Sequence, residues 1–307
     1  MNNKKIIFMG SPRIASDYLK ELIKNNFLIS AVLSQPPRKK SRGMKIIESE
    51  VHQLASKNNI EVFCPNIFDR NIIETVKNLN PDLIIVMAYG KILPKEILDL
   101  PVFGCINIHV SLLPRWRGAA PIEYSLINGD KETGISIIQL TDKLDAGPII
   151  TQKKVVIEEN CNKKELGEKL TKVGKKLLIE TIPQIFNKKI TYSVQDENYA
   201  TYTRKISSED RKINFNKSVK EVLNLIRAHS PKPGAWFTIK NERIKIIKAR
   251  KSNYTGNAST IIDKSFNIGC NDGSIEPLIL QKEGKNIISK DDFLRGYSFN
   301  INDIVNA

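Results

Sequence analysis

Apolar positions in the first half of the chain fall into short runs separated by helical patterns. Residues 6–9, 29–33 and 83–89 are such runs, and Tyr18, Leu19 and Leu22 line one face of the stretch between the first two. The run at 83–89 is apolar on both faces, as a buried parallel sheet requires when helices cover both its surfaces. Runs at 104–109 and 135–140 continue the alternation of strand and helix. A doubly wound, Rossmann-like α/β domain with a parallel-sheet core is therefore predicted. Residues 163–186 form the clearest helix, with Leu166, Leu170, Val173, Leu177, Leu178, Ile182 and Ile185 on one face and lysines on the other.

Periodicity fades over residues 191–205, which mix Tyr, Gln, Asp and Asn and are expected to be a linker. A second pattern begins after it. Ser218 and Glu221 have the spacing of a capping box, followed by Val222, Leu223 and Ile226 on one helical face, and Pro231 and Pro233 end the helix. Short runs at 236–239, 244–247, 260–262, 266–268 and 277–280 alternate with turn signals. Such spacing predicts a small closed barrel of OB-like type. The expected division is residues 1–190, a linker at 191–205, and a smaller barrel domain at 206–307. Two domains suit 307 residues, because single cores rarely grow past roughly 250 to 300.

Composition narrows the function classes. The longest apolar run, seven residues at 83–89, is far below the roughly 18 that span a bilayer, so no membrane segment is expected. The opening MNNKKIIFMG passes into Ser11-Pro12 without an export signal, and a cytoplasmic monomer is expected. Cys64, Cys105, Cys161 and Cys270 include no Cys-x-x-Cys pair and the chain has three histidines, so no metal is expected. The net charge of +15 is unevenly placed. Residues 151–251 hold 24 basic and 11 acidic side chains and residues 1–50 hold 10 and 4, whereas the stretches 51–150 and 252–307 are slightly acidic. A polyanion touching two regions fits this split; so does a general lysine-rich composition bias.

Candidate chemistry lies at strand ends. In the strand at 104–109, Asn107 and His109 share a face because side chains alternate with period two. In open α/β sheets ligands bind beyond the carboxyl ends of the strands, where this pair falls. Ser111, Leu112, Leu113 and Pro114 follow at once and offer backbone amides and an apolar wall. Asp145 follows the run 135–140 and is placed to reach His109, while Asp142 reads as a turn carboxylate. On residue type alone, Asn107 and His109 are equally a pair of hydrogen-bonded buried polar groups. Met9-Gly10-Ser11-Pro12 lacks Gly-x-Gly-x-x-Gly, which disfavours a dinucleotide-dependent dehydrogenase.

The run GCINIHVSLLPRWRGAAPI at 104–122 resembles the signature of the folate-dependent formyltransferases. MGSP at 9–12, SQPPRKKSRG at 34–43, MAYGKILP at 87–94, LDAG at 144–147 and RAHSPKPGAWF at 227–237 are similar to the same family. The resemblance covers essentially the whole chain. It departs at Pro37, at Lys39-Lys40-Ser41 and at Val110, which bears on loop and pocket contacts.

The resemblance implies transfer of a formyl group from 10-formyltetrahydrofolate to the α-amino group of methionine on an initiator methionyl-tRNA. It implies Asn107, His109 and Asp145 as catalytic residues, and a folate held along Ser111, Leu112, Leu113 and Pro114 with Ile92 and Leu93 near its pterin. Arg38, Lys39, Lys40, Arg42 and Lys45 lie in a segment without periodicity that reads as a mobile loop, and the resemblance makes it an insertion entering the acceptor end of the tRNA. Arg204, Lys205, Arg211, Lys212, Lys217, Lys220, Arg227 and Lys232 would follow the RNA backbone. Two other readings stand beside this one. A free sugar amine or nucleotide as acceptor would leave the second domain dispensable, and a non-enzymatic RNA binder would not need Asn107 and His109.

Overall fold

The computed structural model describes residues 3–40 and 45–306. Contacts divide the chain into two compact units. The first comprises residues 1–118, 134–155 and 169–202; the second comprises 119–133, 156–168 and 203–307.

In the first unit the apolar runs become strands β1 (Lys5–Gly10) and β2 (Leu28–Leu33), with α1 (Arg13–Lys24) between them. A short hairpin pairs β3 (Arg38–Lys40) with β4 (Lys45–Ile47). The chain continues through α2 (Glu50–Lys57), β5 (Val62–Phe63), α3 (Arg70–Asn78), β6 (Leu83–Met87), α4 (Lys95–Leu98) and β7 (Cys105–His109). After them come β8 (Arg117–Gly118), α5 (Pro121–Ile127), β9 (Glu132–Gln139), β10 (Ile149–Val156), α6 (Lys163–Phe186) and β11 (Tyr202–Thr203), of which α5 and the first turns of α6 belong to the second unit.

Seven of these strands form one sheet in the order β10-β9-β7-β6-β1-β2-β5. The pairs β1 with β2, β1 with β6, β2 with β5 and β6 with β7 are parallel, as predicted. Ile6, Ile7, Phe8 and Met9 of β1 and Leu83, Ile84 and Ile85 of β6 are fully buried, which is why these strands read as unbroken apolar runs.

Two expectations need correction. β9 runs antiparallel to β7, with Ile106 opposite Gln139 and His109 opposite Ser136. Its end therefore lies away from the carboxyl ends of the parallel strands, and the loop 140–148 must return to bring Asp145 to them. The basic segment expected as a mobile loop is a β-hairpin in its described part, with Arg38 opposite Ile47 and Lys40 opposite Lys45. Pairing of main chains leaves no periodic signal where the side chains face water: Ile46 is 70% and Ile47 39% exposed.

In the second unit α7 (Val219–His229) starts at the predicted capping box, with the Ser218 hydroxyl receiving Glu221 N–H and the Glu221 carboxylate receiving Ser218 N–H. The helix packs against α5. An antiparallel sheet follows, built from β12 (Ala235–Ile239), β13 (Glu242–Ser252), β14 (Ile268–Cys270), β15 (Gly273–Lys282) and β16 (Ile287–Ser289), before α8 (Lys290–Arg295). Lys240 and Asn241 both take positive φ in the two-residue turn between β12 and β13.

The path from β14 back to β12 is closed by irregular segments. Ile261 bridges Ile268 and Thr260 bridges Ile304, while Asn306 N–H donates to Thr238 O at 2.7 Å. Residues 260–262, predicted as a strand, supply single bridges of this closure. Phe215, Phe237, Ile244, Ile246, Phe266, Ile275 and Leu280 fill the interior.

Candidate active site

All three nominated catalytic side chains come together in the first unit. Period-two alternation along β7 puts Asn107 and His109 on one face, and the loop after β9 brings Asp145 across to them. Asn107 Nδ2 donates to Asp145 Oδ1 at 3.2 Å. His109 Nδ1 lies 3.5 Å from Asp145 Oδ2. The same carboxylate oxygen accepts Gly118 N–H at 2.8 Å. On the far side of the ring, His109 Nε2 meets Trp116 O at 2.8 Å, and because a carbonyl only accepts, Nε2 carries the hydrogen of that bond. His109 is 5% and Asp145 9% exposed, whereas Asn107 is half-buried.

The backbone of this neighbourhood adopts unusual conformations. Asp145 has φ +49° and Trp116 φ +62°, the left-handed region that bulky residues seldom occupy. Gly118, at φ +108°, lies where a side chain would be strained. A Cβ on Gly147 would stand 1.8 Å from Gln139 O, so only glycine lets the loop turn this close to β9. The glycine of the Leu-Asp-Ala-Gly stretch thus serves the loop that carries Asp145.

Residues 111–114 are fixed from beneath. Ser136 Oγ donates to Ser111 O at 2.6 Å and accepts Leu113 N–H at 3.0 Å. Gln152 Nε2 donates to Leu113 O at 2.9 Å. Ser111 Oγ donates to Arg115 O, and the Leu113–Pro114 peptide is cis. Ser111 and Leu113 are buried while Leu112 and Pro114 are half-buried, so the latter two supply the surface a flat ligand could meet. Ile92 and Leu93 part company: Ile92 is 88% exposed, whereas Leu93 is 7% exposed within the core beside Tyr89 and Ile97.

Several residues that hold the site together were not nominated from sequence. Arg117 is 1% exposed and, among the described residues, is the largest fully buried side chain. Its guanidinium is bound by Gln195 Oε1, by both carboxylate oxygens of Glu197 at 2.9 Å and by Tyr202 Oη at 3.1 Å. That ion pair holds the Glu197 carboxyl below its usual range and raises the guanidinium further. Arg117 N–H also donates to Thr201 O at 2.8 Å. Residues 195–202, within the expected linker, are therefore packed on the site's own strand. No periodic pattern marks them, because their contacts are polar and made one by one, to the Arg117 side chain and to backbone.

The nominated RNA contacts separate by environment. Arg42 lies outside the described residues. Arg38 is exposed, with its guanidinium 3.4 Å from Gln35 Oε1, and Lys39, Lys40 and Lys45 lie in the hairpin strands. Lys205 and Lys232 are exposed, and Arg204 is exposed and paired with Asp210, which it holds far below the usual carboxylate range. Arg227 does not belong with them. Its guanidinium donates to Leu126 O, Glu158 O, Glu159 O, Cys161 O and Asn224 Oδ1 within the second unit. Lys212, expected among the RNA contacts, and Arg243, which was not, place their cationic groups 5.7 and 3.9 Å from the ring centre of Trp236. Among the described residues no group of three metal-binding side chains converges, and no helix is long and apolar enough to cross a membrane.

Residues 4–182 match the formyl transferase family, and residues 205–298 match the formyl transferase C-terminal domain. The chain belongs to the formyl transferase family. Among curated proteins, this formyl transferase is 40% identical over 296 residues to a methionyl-tRNA formyltransferase of Pelagibacter ubique, covering 95% of this chain and 96% of that one. It is 41% identical to a methionyl-tRNA formyltransferase of Thermodesulfovibrio yellowstonii, covering 96% of each. Among solved structures, an N-formyltransferase of Helicobacter canadensis in complex with folinic acid and dTDP-3-aminofucose superposes with a TM-score of 0.69 at 23% identity, covering 91% of this chain and 99% of that one. HypX of Aquifex aeolicus in complex with tetrahydrofolic acid gives 0.66 at 16% identity, over 94% of this chain and 46% of that one. These structural likenesses establish the fold.

Proposed function

We propose that this formyl transferase moves the formyl group of 10-formyltetrahydrofolate to the α-amino group of methionine on initiator methionyl-tRNA. The carrying observation is the convergence of Asn107, His109 and Asp145, in a chain about 40% identical over nearly its full length to methionyl-tRNA formyltransferases.

The free amine attacks the formyl carbon, a C–N bond forms, and the bond from that carbon to N10 of the folate breaks. Negative charge gathers on the formyl oxygen as the carbon becomes tetrahedral. Asn107 Nδ2 has two hydrogens and gives one to Asp145, which leaves the other for the oxyanion. The amine loses a proton and N10 gains one. Asp145 and His109, side by side, form the relay for it, directly or through a water. The folate lies along Ser111, Leu112, Leu113 and Pro114, with Ile92 projecting beside it and Leu93 supporting from the core.

In this reading chemistry is carried by residues 1–190, on which residues 195–202 pack, and RNA is held by residues 206–307, by the paired strands β3 and β4, and by Arg42. Arg38, Lys39, Lys40, Lys45, Arg204, Lys205 and Lys232 meet phosphates, and the protein works as a cytoplasmic monomer. The test is incubation of purified protein with 10-formyltetrahydrofolate and charged initiator methionyl-tRNA. N-formylmethionyl-tRNA is the expected product, and Asn107→Ala and His109→Ala each lower kcat by about 10² to 10³. No product from the wild-type protein would sink the proposal.

A further inference from the structure

Gln195 is a buried carboxamide, 5% exposed, on a stretch with no helix or extended strand of its own. Both its ends are engaged. Oε1 accepts from Arg117 Nε at 3.1 Å and from Arg117 Nη2 at 2.9 Å. Nε2 donates to Asp145 O at 2.8 Å and to Gly147 O at 2.7 Å. The amide has one orientation: its oxygen must face the guanidinium donors and its NH₂ must face the carbonyls.

What this amide joins are the two halves of the catalytic neighbourhood. On one side is the turn that holds Asp145 at φ +49°, a conformation that persists only where the surroundings over-determine it. On the other is Arg117, flanked by the two residues whose backbone completes the site. Trp116 O receives the His109 Nε2 hydrogen, and Gly118 N–H is given to Asp145 Oδ2. The bridge ties the Asp145 main chain to Arg117 and so to residues 116–118, and its loss removes that tie. The carboxylate would then drift relative to the imidazole, and a displacement of about 1 Å costs on the order of 10²-fold in rate.

We propose that Gln195 is a positioning residue for formyl transfer, acting through Asp145 and the 116–118 segment and touching no substrate. The inference rests on the reaction assigned above. Gln195→Glu is nearly isosteric, keeps an acceptor for Arg117, and turns a carboxylate oxygen toward two carbonyls; the adjacent guanidinium offsets the new charge, and the fold is expected to be retained. Its kcat is expected to fall about 30- to 100-fold, with KM for folate and for methionyl-tRNA changed by no more than about twofold. In an Asp145→Asn background the same change is expected to cost less than about threefold, because the group being positioned is already lost. Gln195→Met, matched in length and without polar ends, gives the same measurement should the charged variant lower the unfolding midpoint.

An unchanged kcat in a folded variant, a loss confined to KM, or an equal factor in both backgrounds would overturn the proposal. So would loss of the fold in both Gln195 variants, which would make the residue structural. A wild-type protein that does not formylate methionyl-tRNA overturns the reaction itself, whereas an active protein indifferent to Gln195→Glu overturns only the role given to Gln195.

Discussion

Individual side chains in this protein divide into those whose meaning is local and those whose meaning is supplied by the fold. Asn107 and His109 were legible because a strand's period of two places them together wherever the strand lies. Asp145 was legible as a residue but not as a geometry, since its approach depends on a loop that doubles back. Trp116 and Gly118 fall within the run 104–122 but were not legible as partners of His109 and Asp145, and Gln195 carried no signal, because these contacts use main-chain groups or single polar side chains that no residue pattern encodes. His229 is a further buried group, 1% exposed, with Nε2 lacking a hydrogen-bond partner. Burial first, then Lys163 and Arg211, push its pKa down to about 4.

The folded protein therefore binds this proton less readily than the unfolded chain, whose histidine titrates near 6.5. Stability is unaffected by the group above about pH 6.5 and declines as pH falls toward 4, by roughly 3 kcal/mol in all. Urea unfolding at pH 7 and pH 4.5 should show that His229→Gln has a shallower acid decline than wild type; an identical slope would count against the assignment. Arg227 and Lys232 make a second contrast. Arg227→Met, which leaves several carbonyls without their donor, should lower the unfolding midpoint, while Lys232→Ala should leave it in place and raise only the KM for methionyl-tRNA.

Elements were read well where their own chemistry sets their limits. The long helix has the predicted bounds, with Leu166, Leu170, Leu178, Ile182 and Ile185 buried and Val173 and Leu177 at the margin of the face. The capping box began α7 where Ser218 and Glu221 placed it, and Ser218→Ala should cost about 1 kcal/mol in chemical denaturation. Direction was not readable in the same way. An apolar run such as 135–140 is compatible with parallel or antiparallel pairing, and only the position of its neighbours decides. The closure of the second sheet by residues 260–262 and 304–306 was hidden for a related reason: single bridges need no alternation.

Charge belongs to the molecule as a whole. The excess of 13 basic side chains over residues 151–251 is a field rather than a contact, and it acts on whatever polyanion approaches. Each phosphate neutralised releases condensed counterions, so raising salt from about 50 to 200 mM should weaken methionyl-tRNA binding by orders of magnitude while folate binding changes little. Equal salt slopes for the two substrates would remove the argument for a basic RNA-binding surface.

The routing of the backbone carries a different consequence. Residues 119–133 and 156–168 belong with the second unit although the sequence places them inside the first. Helix α5, whose Pro121, Ser125 and Leu126 are buried, packs on α7 nearly a hundred positions later. A gene truncated at codon 205 would therefore encode a product with a raw apolar helix and no mate for it. Expressed alone, that product should collect in inclusion bodies, and supplying residues 206–307 from a second plasmid should return it to the supernatant. Interleaved in this way, the two halves are expected to fold only together, and a cut at residue 205 should give neither a stable product of its own.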